Sequence, residues 1–65
     1  MSKQEAKTVL MNQKELKGHE LYNITSYDNN QSIIFTSCKG SKCYYGLYDV
    51  HGVDLEYAGK RSELQ

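Results

Sequence analysis

Two hydrophobic rhythms divide this chain. Over residues 3–17, Ala6, Val9, Leu10, Gln13 and Leu16 recur at helical spacing on one face, while Lys3, Lys7, Asn12 and Lys14 point elsewhere. Ser2, three residues before Glu5, forms a capping box in which each side chain satisfies an amide left open by the first turn; this predicts a helix beginning at Lys3. Gly18 is the expected stop, because glycine accepts the left-handed conformation that follows many helix ends.

From residue 19 the period changes to two, and β-branched and aromatic residues become frequent. Turn signals at Asn29-Asn30, at the loop Lys39-Gly40-Ser41-Lys42 and at His51-Gly52 divide the stretch into four strands, 20–27, 32–38, 43–50 and 53–58. The expected fold class is α+β: an N-terminal helix packed on one face of a four-stranded antiparallel β-meander. Residues 1–65 form one small domain, with a frayed polar tail at 59–65.

The turns also imply a register. The first sets Ile24 opposite Phe35 and Tyr22 opposite Ser37, and the second sets Cys38 opposite Cys43, Phe35 opposite Gly46 and Ile33 opposite Tyr48. The third sets Val50 opposite Val53, Tyr48 opposite Leu55 and Gly46 opposite Tyr57, which brings Asp49 directly against Asp54. Alternation then collects Tyr22, Ile24, Ile33, Phe35, Tyr44, Gly46, Tyr48, Val50, Val53, Leu55 and Tyr57 on the face expected beneath the helix. The second face receives Leu21, Asn23, Thr25, Tyr27, Ile34, Thr36, Tyr45 and Leu47, with both cysteines and the acids Asp49, Asp54 and Glu56.

Length and charge narrow the function classes. A chain of 65 residues buries only about 60% of the surface its unfolded form exposes, so further support from a disulfide, a metal, idealised packing or self-association is expected. Eight basic residues balance eight acidic ones, but unevenly: residues 1–18 carry +2, residues 19–59 carry −3 and the remainder +1. An acidic sheet argues against nucleic acid as a partner. The N-terminus, Met1-Ser2-Lys3-Gln4-Glu5-Ala6-Lys7, leads into no long apolar run, so a cytoplasmic protein with no membrane partner is expected, and the glycosylation pattern Asn23-Ile24-Thr25 is discarded.

Candidate chemistry is sparse. Cys38 and Cys43 are read first as free structural thiols, since a cytosolic chain is kept reduced; a disulfide and half of a zinc site are the alternatives. His51, at the far end of the third strand, lies more than about 20 Å from Cys43 at strand rise and is excluded as a shared ligand. No phosphate loop, dinucleotide fingerprint, zinc-protease motif or nucleophile elbow is present, so neither catalysis nor a cofactor or metal is expected.

The informative surface is the second sheet face. Tyr27, Ile34, Tyr45 and Leu47 would gather there beside Asp49, Asp54 and Glu56, an apolar patch with an acidic border of the kind that anchors a partner protein. The expectation is a non-catalytic protein-binding module, a regulator or inhibitor of the kind found among small phage and mobile-element proteins, though no motif carries that association. Its partner is another protein with a basic surface, or a second copy in a homodimer. The alternatives are a nucleic-acid-binding sheet, favoured by six tyrosines, and a small-ligand binder formed at a dimer junction.

Overall fold

A computed structural model describes residues 2–27 and 32–63. Helix α1 (Lys3–Met11) is followed by a 3₁₀ turn (Lys14–Leu16), strands β1 (Glu20–Tyr27), β2 (Ile33–Lys39), β3 (Lys42–Asp49) and β4 (Gly52–Lys60), and a second 3₁₀ turn (Arg61–Glu63). The strands form one antiparallel sheet in the order β1-β2-β3-β4, which is the expected meander. The predicted turn at Asn29-Asn30 lies outside the described residues.

The capping box half-forms: Glu5 N–H donates to Ser2 Oγ at 3.1 Å. The helix ends earlier than its periodicity predicts, and Gln13 supplies the reason. Its backbone N–H turns to Leu10 O, while its side-chain Nε2 donates to Val9 O at 3.1 Å, the carbonyl that a continuing helix would have offered to its backbone. The break has a packing consequence. Leu10 and Leu16 would stand about 120° apart on a continuous helix, yet after the 3₁₀ turn both are buried. Gly18 takes the left-handed conformation expected of it, at φ +85°, but it follows the 3₁₀ turn and leads into β1 rather than ending α1, which is capped at Asn12.

Beneath the helix, Ala6, Leu10, Leu16, Ile33 and Phe35 form the core, with Val9, Leu21, Ile24, Tyr48 and Val53 packed around it. Gly46 has no side chain because the Phe35 ring occupies that space, and a Cβ there would overlap it. The β2–β3 register is the predicted one from Ile33↔Tyr48 to Cys38↔Cys43.

Three corrections apply elsewhere in the sheet. β1 carries irregularities around Tyr22 and Thr25, so Leu21 enters the core, Tyr22 is exposed, and Tyr27 pairs with Ile33 on the helix side. The β3–β4 turn is Val50-His51 rather than His51-Gly52, which slides the register by two residues: Tyr48 meets Val53, Gly46 meets Leu55 and Asp49 meets Gly52. Asp49 sets that turn, its Oδ1 accepting the His51 N–H at 2.8 Å. A slip of two keeps every side chain on its face, but it separates Asp49 from Asp54 and leaves Val50 exposed at the tip.

The third correction concerns the C-terminal residues. Gly59 and Lys60, expected in the tail, belong to β4, and Arg61–Glu63 forms a 3₁₀ turn, while positions 64 and 65 of the expected frayed tail lie outside the described residues. Arg61 N–H donates to Ser41 O at 2.8 Å, and Arg61 Nη1 reaches Glu20 Oε2 at 3.2 Å, tying the end of one edge strand to the start of the other.

Candidate functional site

The second face of the sheet divides into a closed end and an open end. At the closed end Cys38 and Cys43 are joined in a disulfide across β2 and β3, which corrects the expectation of free thiols. Both cysteines are buried, as is Thr36. The C-terminal turn accounts for part of this cover, since Arg61 bonds Glu20, the cross-strand partner of Cys38, and the Glu63 carboxylate lies over Gly59, the partner of Cys43.

At the open end, Ile34, Tyr45 and Leu47 are 48%, 54% and 38% exposed. β2 and β3 pair Ile34 with Leu47, and Tyr45 follows two residues before Leu47 on the same face. From β4, Asp54 stands opposite Leu47 and Glu56 opposite Tyr45, so each acid faces an apolar anchor. Between these residues runs an open hollow of about 300 Å³ lined by Tyr45, Gly46, Leu47, Asp54, Leu55 and Glu56. Asp49 is on this face too, but its carboxylate is committed to the β3–β4 turn. Tyr27, paired with Ile33, is not brought to the patch.

The helix side holds a feature that the sequence reading missed. His19, Tyr44 and Tyr57 form a ring cluster beyond the reach of α1, with centroids 5.4 Å apart for His19–Tyr44 and 5.8 Å for Tyr44–Tyr57. His19 Nδ1 lies 3.0 Å from Ser37 Oγ. That spacing suits a base and a nucleophile, but Ser37 has no exposed surface for a substrate to meet, so the contact positions the ring. The His19 pKa is held below the usual 6.5, first by burial and then by the charge of Lys39.

Among the described residues no three metal-ligating side chains cluster, and no helix is long and apolar enough to cross a membrane. Comparison with known proteins finds no match to a family, a curated protein or a solved structure.

Proposed function

We propose that this chain is a non-catalytic protein-binding module whose open sheet face docks a basic segment of a partner protein, regulating or inhibiting that partner by covering it. The supporting observation is the register of β3 and β4, which sets Asp54 against Leu47 and Glu56 against Tyr45. A partner segment that inserts an aliphatic or aromatic side chain between Ile34, Tyr45 and Leu47 would place a flanking Lys or Arg within reach of either acid. A second copy fits less well, because a two-fold axis through this patch would bring Asp54 and Glu56 towards their own equivalents. The acids would steer association, and the apolar residues would hold the complex.

The disulfide bears on where this happens. Cytosolic thiols are kept reduced, so a closed Cys38–Cys43 bond suits an oxidising setting rather than the cytoplasm.

The reading is tested by selecting binders from a displayed peptide library on the folded protein. The expected binders combine Lys or Arg with one large apolar residue. Tyr45→Ala with Leu47→Ser leaves the fold intact and costs about 2 kcal/mol or more, roughly thirtyfold in affinity. Asp54→Asn with Glu56→Gln slows association and flattens its salt dependence. Selection of no basic peptide, or binding indifferent to the Tyr45/Leu47 change, contradicts the proposal. A dimer dissolved by that change would assign the face to a second copy.

A further inference from the structure

The sum of charges over the sheet conceals how they are sorted. Lys39, Lys42 and Lys60 are placed side by side, Lys39 paired with Lys42 across β2–β3 and Lys42 paired with Lys60 across β3–β4. Three like charges in one cross-strand row oppose sheet formation. None of the three lies within 4.0 Å of a carboxylate among the described residues. Every acid of β4 and the C-terminal turn is on the other face: Asp54 and Glu56 opposite Leu47 and Tyr45, and Glu63 over Gly59. Glu20, on β1, is engaged by Arg61.

The row shares its face with the rings. Lys42 and Tyr44 are two residues apart on β3, hence on the same side. On β4, Tyr57 and Lys60 are three apart and would alternate to opposite faces in a regular strand. The irregularity between Cys43 and Tyr44 inserts Ala58 as an extra residue, so Tyr57 still pairs with Tyr44 and Lys60 with Lys42. Lys39 reaches the same surface, its Cε lying 3.6 Å from where a Cβ on Gly18 would stand, next to His19. The helix leaves this half of the sheet uncovered, and Tyr57 is 55% exposed.

We infer that this platform, Tyr44 and Tyr57 beside the Lys39/Lys42/Lys60 row, binds single-stranded nucleic acid. Tyr57 offers an exposed ring on which a base can stack, half-buried Tyr44 supports it edge-on, and lysines along the border neutralise phosphates, the combination by which sheets hold single strands without strong sequence preference. A duplex hides its base faces, and an acidic peptide has none to stack, so neither uses the rings. The lysine row spans two strand intervals, roughly 10 Å, enough for a site of a few nucleotides. The site is separate from the Tyr45/Leu47 face, and the two proposals stand or fall independently.

The test is fluorescence anisotropy of a labelled single-stranded oligonucleotide of about a dozen nucleotides, titrated with the intact protein from low to physiological salt. Three phosphate contacts predict a slope of log K against log salt of about −2, with each single Lys→Gln change making it shallower by about 0.7. Tyr57→Ala weakens binding about fivefold to 150-fold, whereas Tyr57→Phe retains it. If Tyr57→Ala fails to fold, Tyr57→Leu carries the same test, since it keeps apolar bulk without an aromatic face. Tyr45→Ala with Leu47→Ser leaves the oligonucleotide affinity unchanged. Absence of binding at low salt overturns the inference. So does equal affinity for polyglutamate with no dependence on Tyr57, which would mark a general anion site.

Discussion

His19 shows how one side chain at the helix-to-sheet junction couples packing to charge. Its ring meets Tyr44 on one side and Ser37 Oγ at Nδ1, while Lys39 repels a proton on it. Because its folded pKa lies below the usual 6.5, the unfolded chain takes up the proton first as pH falls. The stability that the neutral ring contributes is therefore present above pH 6.5 and is lost progressively below it, until the folded form protonates too. Thermal unfolding followed from above pH 6.5 down to just above the carboxylate range should show the wild type losing stability on acidification and His19→Gln losing much less. Equal slopes would mean that His19 is not the group responsible. The sequence marks residue 19 only as the point where the hydrophobic period changes from helical to alternating. Its partners depend on a fold that brings residue 19 to residues 37 and 44, and no local pattern reports that.

Among the elements, the β2–β3 hairpin was read most fully, since Gly40 and the symmetric cysteines fix its register from both sides. The disulfide closes a short loop, with five positions separating its cysteines, so its effect on the unfolded chain is modest. Replacing both cysteines by alanine should cost about 2 kcal/mol in urea denaturation, and the wild type in reductant should match the variant. No difference between oxidised and reduced protein would remove the disulfide from the account of stability. What alternation could not show was where a strand takes an extra residue. The irregularities at Tyr22, Thr25 and Ala58 leave no mark in a two-residue period, yet they move Leu21 into the core, take Tyr27 off the second face and bring Lys60 beside Tyr57. The helix break was hidden for a similar reason. Gln13 falls on the apolar face by spacing, and only its bond to Val9 O reveals it as a cap. At the third hairpin, Gly52 drew the turn one residue late, which slips the register by two, and the even slip preserved the faces, so Ile34, Tyr45 and Leu47 stand where alternation put them.

For the molecule as a whole, the account rests on the sorting of chemistry between the two sides of one thin sheet. A short helix covers β1, β2 and the Tyr48 and Val53 ends of β3 and β4, and leaves two surfaces of β3 and β4 beyond it, one bearing Tyr45, Leu47, Asp54 and Glu56, the other Tyr44, Tyr57 and the lysine row. A chain near the lower size limit for independent folding thus presents two surfaces of opposite sign. Counting residues along the sequence gives one net-acidic sheet, because the two faces are summed together; adding Lys60 to β4 changes that sum only from −3 to −2. NMR of tyrosine ring and methyl resonances during titration with a single-stranded oligonucleotide tests this partition most directly. The account predicts that the Tyr44 and Tyr57 rings shift while the Ile34 and Leu47 methyls and the Tyr45 ring stay in place. Shifts appearing together on both sides, or on the Ile34/Tyr45/Leu47 side alone, would contradict it.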